Sequence, residues 1–224
     1  MRTTAVRCAR RRELRNCHFS GNFVPATALS LGAVKTLLAR VIDSTVFKGQ
    51  RMQFPYKKIL ILGNGGAGKS TFAADMGGRF SLPVVHLDKL WWLPGWVNRS
   101  EEEFDFFLSA ELAKPAWVMD GNYRRTLAVR LAAADAAVLL DIPAAVCLES
   151  AYARVREYAG RTRPDMGEGC PERVDAEFEE WILKYDREVR PAMLARLEES
   201  KKPFFVFSSR EAARAWLESF SSAR

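Results

Sequence analysis

The feature that most constrains this chain is the segment Gly63–Ser70, which fits the phosphate-binding pattern G-x-x-x-x-G-K-[ST]. The apolar run Ile59–Leu62 before it has the composition of a buried parallel strand, and Thr71–Met76 after it contains helix formers. Glycines let backbone N–H groups converge on an anion, and the N-terminus of the following helix adds partial positive charge. The sequence therefore predicts a strand, a phosphate-binding loop and a helix in succession.

Two side chains of this loop have specific predicted roles. Lys69 would reach the outer phosphates of a nucleotide, and the Ser70 hydroxyl would be a ligand of Mg²⁺. The predicted nucleotide-binding residues are Gly63, Gly65, Gly66, Ala67, Gly68, Lys69, Ser70 and Thr71. A glycine-rich turn that binds nothing is the alternative, and the flanking strand and helix patterns disfavour it.

The positive charge of the chain is concentrated near its N-terminus. The net charge is +7, and residues 1–51 hold ten Lys or Arg against two acidic residues, so the remainder is close to neutral. The basic excess therefore gives no support for direct nucleic-acid binding by the remainder. We predict a basic leader over residues 1–51, either disordered or an over-extended start, with an organellar transit peptide as the alternative. Residues 52–224 are long enough for one α/β domain that carries the phosphate-binding loop.

Cysteine spacing and hydropathy indicate the cellular compartment. The four cysteines form no C-x-x-C pair, which disfavours a disulfide framework and a zinc site. The chain has no run of 18 apolar residues, so no membrane span is predicted. We therefore expect a cytoplasmic protein without a membrane partner, acting as a monomer or a homodimer.

From residue 58 onward, strand and helix patterns alternate about five times. The predicted strands lie at residues 58–62, 82–87, 117–119, 136–140 and 203–207. The predicted helices run from the loop to about Arg79, from Ser100, over 123–131, from Pro143 to about Tyr158, over 172–199 and from Ser209. This order predicts an α/β fold, a three-layer doubly wound sheet of five parallel strands, with its ligand at the carboxyl ends of the strands.

Two segments have no regular pattern. Residues 88–99 form an irregular aromatic stretch. Residues 160–171 are rich in Gly, Pro and Arg and interrupt two helical patterns, so they predict an exposed mobile loop.

Acidic residues follow two of the predicted strands. Asp120 closes one strand and precedes Gly121, so it is the first candidate for holding Mg²⁺ opposite Ser70, directly or through water. Asp141 closes another strand, and we interpret it as a cap of the helix that starts at Pro143. His86 alternates with apolar neighbours, which is more typical of a strand histidine than of a ligand.

Asp88 is surrounded by three tryptophans, Trp91, Trp92 and Trp96. This combination suits a pocket in which a flat or hydroxylated acceptor stacks while the carboxylate orients or deprotonates its hydroxyl. The alternative is that the tryptophans belong to the core, and this would account for one or two of them.

Three arginines, Arg154, Arg161 and Arg163, bracket the loop 160–171. Guanidinium groups on a flexible flap can close on the β- and γ-phosphates, stabilise the transferring phosphoryl group and keep water out. An ordinary solvated loop is the alternative.

Further motifs occur in a fixed order between residues 57 and 200. They are His86–Trp92, Pro94–Trp96, Trp117–Tyr123, Arg161–Met166 and Gly169–Arg173. Together they resemble the adenylate-kinase-like P-loop family of DNA topology modulation proteins. The resemblance implies an adenylate-kinase-type fold with a short lid and ATP as the phosphoryl donor, but it does not identify the acceptor.

The same resemblance adds residues to the predicted site. Asp120 stands where related nucleotide kinases carry an acid near Mg²⁺, and Arg130 stands where the family has an arginine after the G-N-Y motif. The chain departs from the family at Ser150, where an arginine is usual, and retains Arg154 one turn later. The predicted acceptor-binding residues are Asp88, Trp92, Trp96, Tyr123 and Arg130.

The sequence thus predicts ATP- and Mg²⁺-dependent phosphoryl transfer to a small-molecule acceptor, such as a nucleoside, a nucleotide or a similar hydroxyl or phosphate compound. The predicted metal ligands are Ser70 and Asp120, and the predicted catalytic residues are Lys69, Asp88, Arg154, Arg161 and Arg163. One alternative is an ATP-binding regulatory switch with weak hydrolysis that affects DNA topology indirectly. Another is direct DNA binding through the arginine-rich N-terminal segment.

Overall fold

The computed structural model of the chain describes residues 52–223. The basic leader predicted over residues 1–51, and any DNA binding through it, lies outside the described residues. The strands are β1 (Lys58–Gly63), β2 (Val84–His86), β3 (Trp92–Leu93), β4 (Val97–Asn98), β5 (Trp117–Asp120), β6 (Ala136–Leu140) and β7 (Phe204–Phe207).

Helices follow most of these strands. They are α1 (Lys69–Phe80), α2 (Leu87–Trp91), α3 (Glu101–Ala113), α4 (Leu127–Ala133), α5 (Ala144–Tyr158), α6 (Ala176–Glu188), α7 (Arg190–Glu199) and α8 (Arg210–Glu218). A short 3₁₀ turn, Arg124–Thr126, leads into α4. Within residues 52–223 no helix combines the length and the apolar character that a membrane crossing requires.

Five strands form one parallel sheet in the order β2-β5-β1-β6-β7. Successive side chains of a strand point to opposite faces, so β1 contributes to two cores. Leu60 and Leu62 pack on one face with side chains of α3, α4 and α7, while Ile59 and Ile61 pack on the other with α1, α5 and α8. The predicted α/β fold, with a five-stranded parallel sheet between two layers of helices, is confirmed.

The helix predicted over residues 172–199 is wrong in two respects. It begins only at Ala176, where the Asp175 carboxylate accepts a hydrogen bond from the Phe178 N–H and caps the first turn. It is also divided between Glu188 and Arg190, because Pro191 has no N–H to donate to the preceding turn and its ring would clash with that turn.

Residues 88–99 are more regular than predicted. They contain the end of α2 and an antiparallel hairpin of β3 and β4, turned at Pro94 and Gly95. Gly95 has φ +79°, a left-handed conformation that favours glycine at this turn. We call residues 92–98 the hairpin.

Residues 160–171, which we call the lid, are not the fully exposed loop that the sequence predicted. Met166 and Cys170 are buried, and Thr162 and Pro171 form an antiparallel bridge. The lid is bound to the hairpin because the Gly95 N–H donates to the Gly169 carbonyl oxygen (2.9 Å) and Trp96 Nε1 donates to the Pro171 carbonyl oxygen (3.0 Å).

Candidate active site

The loop between β1 and α1 has the backbone shape that its glycines permit. Gly66 and Gly68 have φ values of +79° and +95°, which other residues rarely adopt. A Cβ atom at Gly66 would also clash with the carbonyl oxygen of Cys147 in α5. The loop is therefore packed directly against α5 at Gly66, and it leads into the N-terminus of α1.

Two asparagines hold the start of this loop. Asn64 is fully buried, and its side chain donates to the Ile182 carbonyl oxygen (2.9 Å) and accepts from the Gly65 N–H (2.7 Å). Asn122, which follows β5, accepts from the Gly63 N–H (3.2 Å) and donates to the Gly63 carbonyl oxygen (2.7 Å). The loop is thus fixed by β5 on one side and by α6 on the other.

Arg210, the first residue of α8, holds the other end of the loop. Its Nε donates to the Ala67 carbonyl oxygen (3.1 Å), and its Nη2 donates to the Gly66 carbonyl oxygen (2.7 Å) and to Ser150 Oγ (2.8 Å). Sequence reasoning missed this residue. The signal that could have found it is Ser209, because a helix capped there starts at the carboxyl end of β7, beside the loop. Arg210 also places a guanidinium beside Ser150, where the resemblance had led us to expect an arginine.

Lys69 and Ser70 both line a cleft in front of the loop. Lys69 Nζ donates to the Asn64 carbonyl oxygen (2.9 Å), so the side chain folds back over the loop. Burial lowers the pKa of Lys69, although the carboxylates of Asp120 and Asp88 act in the opposite direction. An anion bound in the loop would supply the negative charge that this buried ammonium group favours.

The cleft has a volume of about 990 Å³. We call the part formed by the loop, the start of α1 and Arg210 the loop side, and the part formed by Asp88, Trp92, Trp96 and Tyr123 the tryptophan side. Pockets that enclose one small ligand have volumes of roughly 300–1,000 Å³. The volume of the cleft is therefore at the upper end of this range.

The carboxylate of Asp88 lies on the tryptophan side and accepts a hydrogen bond from the Tyr123 hydroxyl (2.6 Å). Burial raises the pKa of Asp88 and outweighs the opposite effect of this hydrogen bond. A carboxyl group with a raised pKa holds a proton more readily, as a proton acceptor in catalysis must.

His86 and Asp120 form a pair across neighbouring strands. His86 Nδ1 lies 2.9 Å from Asp120 Oδ1, and both residues line the cleft. Burial lowers the pKa of His86, but the hydrogen bond and the charge of Asp120 outweigh it, so the pKa is raised overall. His86 is a strand residue, as predicted, and it also holds the buried carboxylate that was predicted to bind Mg²⁺.

The three tryptophans have different surroundings. Trp91 packs edge-on against Phe104 (5.3 Å between ring centres) and belongs with the core. Trp92 and Trp96 belong to the hairpin, where they pack edge to face at 5.3 Å, and both line the cleft. All three tryptophans therefore line the cleft, and Trp91 also packs against the core.

The predicted role of Arg130 in acceptor binding is wrong. Arg130 is fully buried and does not line the cleft, because its guanidinium donates to the carbonyl oxygens of Gly121, Asn122 and Tyr123. Burial lowers its pKa to about 9, which leaves the group charged at neutral pH. Arg130 therefore holds the turn that carries Asn122 and Tyr123 into the cleft.

The arginines around the lid divide into two groups. Arg154 and Arg163 line the cleft, and both form ion pairs with Glu172, whose side chain is only 3% exposed. Arg163 also pairs with Asp165 (2.7 Å). Arg161 is exposed, lies outside the cleft and donates to backbone carbonyl oxygens at the end of α5. Its predicted contact with phosphate is not present in this arrangement.

Two acidic residues of the lid region were missed by sequence reasoning. Glu172 joins the two cleft arginines. Asp165 forms a hydrogen bond with Ser70 of the loop. Burial raises the pKa of Asp165, but the charge of Arg163 and this hydrogen bond outweigh burial, so the pKa is lowered overall. Asp165 stands two residues after Arg163, and this spacing is the signal that could have found it, whereas Glu172 is nine residues from Arg163 and no nearby pattern indicates their pairing.

The cap predicted at Asp141 is also wrong. The helix α5 has Pro143 at its cap position and no side-chain cap. Asp141 instead accepts two hydrogen bonds from Arg190 at the start of α7 (2.6 and 2.7 Å). The residue is structural, as expected, but it ties two helices together rather than capping one.

Ser70 and Asp120 are the residues that fit Mg²⁺. Mg²⁺ is usually held by one or two protein oxygens together with substrate phosphates and water, and both residues supply oxygen to the cleft. Among residues 52–223 no cluster of three or more His, Cys, Asp or Glu side chains could hold a metal ion. The described donor set is therefore compatible with a magnesium–phosphate site and not with a site made by protein ligands alone.

No protein-family model and no curated protein matches this chain. Among solved structures, shikimate kinase from Acinetobacter baumannii in complex with shikimate is similar over 72% of this chain and 89% of its own, with 17% identity and a TM-score of 0.47. A gluconokinase from Sinorhizobium meliloti 1021 is similar over 75% of this chain and 90% of its own, with 15% identity and a TM-score of 0.41. The likeness is one of fold alone, and the function of the site has to be argued from its own residues.

Proposed function

We propose that this protein transfers the γ-phosphoryl group of ATP to a hydroxyl group of a small molecule. The observation that carries the proposal is that a phosphate-binding loop and a half-buried carboxylate, Asp88, line one cleft of about 990 Å³. A protein that only bound a nucleotide would have no need of the tryptophan side.

The loop side would bind ATP. The loop N–H groups and Lys69 hold the phosphates, and Mg²⁺ would be held by Ser70 and Asp120 and would neutralise charge on the phosphates. Arg154 and Arg163 line the cleft and stabilise the phosphoryl group in transfer. Within residues 52–223 the buried Nε of Arg154 has no hydrogen-bond partner, so this donor remains for a phosphate oxygen.

The tryptophan side would bind the acceptor. Asp88 accepts the proton of the acceptor hydroxyl, and the oxygen of that hydroxyl forms a bond to the γ-phosphorus. The bond from that phosphorus to the bridging oxygen breaks, and ADP leaves with the electron pair. Hydrophobic walls from Trp92 and Trp96 exclude water that would otherwise hydrolyse ATP.

The motif resemblance to the DNA topology modulation family agrees with this proposal, and we propose membership of that family on the motifs alone. A regulatory switch that binds ATP without an acceptor is the second candidate. The presence of Asp88 and Tyr123 opposite the loop argues against it, because a switch requires no proton acceptor there.

The test is a screen with γ-³²P-labelled ATP and Mg²⁺ against nucleosides, nucleoside monophosphates and small alcohols. We expect label in an acceptor product, whereas a switch would release only labelled phosphate. Lys69→Ala should abolish transfer and leave the circular dichroism spectrum unchanged, while the exposed Lys89 provides the control variant Lys89→Ala. Full transfer by the Lys69→Ala variant would contradict the proposal.

A further inference from the structure

The tryptophan side of the cleft is rich in acidic groups. Asp88 belongs to this side, and Asp120 and Asp165 line the same cleft. Among the described residues, the side-chain hydrogen bond of Asp88 comes from a neutral phenol, Tyr123. A second anion placed beside these carboxylates would be repelled by them.

The positive groups near the cleft are already engaged. Arg163 pairs with Asp165 and Glu172, and Arg154 pairs with Glu172. Both of them, and Lys69, also belong to the part of the cleft that would bind the phosphates of ATP. His86 is paired with Asp120.

Two further arginines that line the cleft, Arg210 and Arg214, belong to α8, which begins beside the loop. Arg130 is buried among carbonyl oxygens. Arg173 lies over the Trp96 ring (5.1 Å to its centre), and its Nε is 3.4 Å from the Asp175 carboxylate. Within residues 52–223, therefore, the tryptophan side has no uncommitted Lys or Arg that could hold a phosphate or a carboxylate.

The pKa of Asp88 agrees with this distribution of charge. Burial and the charge of Asp120 raise it, and the opposing effects of Tyr123, Lys69 and Arg163 are not large enough to cancel them. An environment that disfavours one carboxylate disfavours a further anion beside it.

The apolar part of this side is formed by aromatic rings. Trp92 and Trp96 present their rings at a steep angle to one another (73°), so a flat ligand can lie on one ring against the edge of the other. A nucleobase and the C–H face of a pyranose both have that shape, and both are carried on molecules with hydroxyl groups for Asp88.

We infer that the phosphoryl acceptor is an uncharged hydroxyl compound with a flat face, a nucleoside or a neutral pyranose sugar, and not a monophosphate or a sugar acid. The inference rests on the proposed function and assigns the acceptor class to the same cleft. It follows from the juxtaposition of Asp88 with two tryptophan rings and the absence of an available cation on that side among the described residues.

Matched acceptor pairs test the inference. The members of each set share a ring system and differ at the terminal carbon, where an anionic group replaces a free hydroxyl: a nucleoside and its 5′-monophosphate, and glucose with glucose 6-phosphate and glucuronic acid. We expect the neutral member of the preferred pair to have a kcat/KM at least about 100-fold higher. Comparing kcat/KM for the nucleoside with kcat/KM for glucose identifies whether a nucleobase or a pyranose ring is bound. A higher kcat/KM for an anionic member would overturn the inference and leave the proposed function intact.

Binding is measured in parallel, without ATP, by quenching of tryptophan fluorescence. If no compound is phosphorylated although ATP binds, the proposed function fails. The titrations still decide the inference about the acceptor class. Tighter binding of the neutral members supports it, and equal or tighter binding of the anionic members contradicts it. Arg173→Ala should leave the preference unchanged. A selective loss of anion binding in that variant would show that Arg173 serves as an anion site.

Discussion

Arg210 donates a hydrogen bond of 2.7 Å to the carbonyl oxygen of Gly66, so the last helix of the described chain holds the phosphate-binding loop. Removing the Arg210 guanidinium should allow the loop N–H groups to turn away from the phosphates. We predict that Arg210→Met raises the KM for ATP about tenfold, since a hydrogen bond to a charged group contributes roughly 1.5–3 kcal/mol. Steady-state kinetics with varied ATP measures this.

The matched control is Arg196→Met, on an exposed arginine of α7 that does not line the cleft. It should leave the KM for ATP within about twofold of wild type, as is usual for a surface change. Equal effects of the two substitutions would show that general positive charge, and not the contact with Gly66, is responsible.

Asp88 should determine the acidic limb of the activity profile. It must be ionised to accept a proton, and burial raises its pKa above the ordinary 3.8, so kcat/KM for the acceptor falls as the pH drops through that raised pKa. Tyr123→Phe removes the hydrogen bond that lowers this pKa, so the limb should move to higher pH. Plots of log(kcat/KM) against pH measure the shift.

Tyr152→Phe is the control for that shift, because the Tyr152 hydroxyl also donates to a carboxylate, Glu179, but on the exposed surface. Its profile should match that of wild type. If the limb of Tyr123→Phe also matched wild type, a group other than Asp88 would be accepting the proton.

The same carboxyl group should affect stability in the opposite direction from activity. A carboxyl whose pKa is raised on folding stabilises the fold below its unfolded pKa, and this contribution is lost as the pH rises through the folded pKa. Asp88→Asn should therefore gain stability relative to wild type as the pH rises above 3.8. Urea unfolding at a series of pH values measures the difference, and a constant difference would contradict the prediction.

Glu172 should act on the rate through the two arginines that it holds. Glu172→Gln weakens the ion pairs with Arg154 and Arg163, whose charges are needed most when the phosphoryl group is in transfer. We predict a loss of about tenfold in kcat with little change in the KM for ATP. The exposed Glu168 of the lid provides the control Glu168→Gln, which should retain the wild-type kcat. A rise in KM at unchanged kcat would instead mean that the arginines bind ATP in its ground state.

Arg130 should matter for stability and not for acceptor affinity. Arg130→Met leaves the carbonyl oxygens of Gly121, Asn122 and Tyr123 without their donor, which should cost about 3 kcal/mol or more in the free energy of unfolding. Denaturant unfolding measures this, with the exposed Arg124→Met as the control. Unchanged stability together with a raised acceptor KM would restore the role that the sequence first suggested.

Local patterns were enough to predict the sheet and the loop. Strand β1 is a continuous apolar run, and the glycines that follow it occupy conformations that glycine favours, so each signal lies within a few residues. The start of α3 is equally local, since Ser100, from which a helix was predicted, accepts a hydrogen bond from the Glu103 N–H.

Contacts between distant segments were not predictable in this way. Arg210 is 144 residues from Gly66, and Ser209 indicates only where α8 begins, not that the first residue of α8 binds Gly66. Arg130 was expected in the acceptor site because it follows the G-N-Y motif, yet the preceding carbonyl oxygens bind it. An arginine can donate hydrogen bonds to a phosphate, a carboxylate or a backbone carbonyl oxygen, and only the folded structure shows which of these acceptors it binds.

The hydrogen bonds between the hairpin and the lid connect the proposed acceptor site with the proposed phosphate site. The Gly95 N–H is bound to the Gly169 carbonyl oxygen, and Trp96 is bound to Pro171, so the segment carrying Arg163 and the segment carrying the tryptophans are attached to one another. A lid attached in this way cannot swing away from the phosphates without carrying Trp96 with it. ADP and the phosphorylated product would then leave through one shared opening movement, and the release of either product would expose the site of the other.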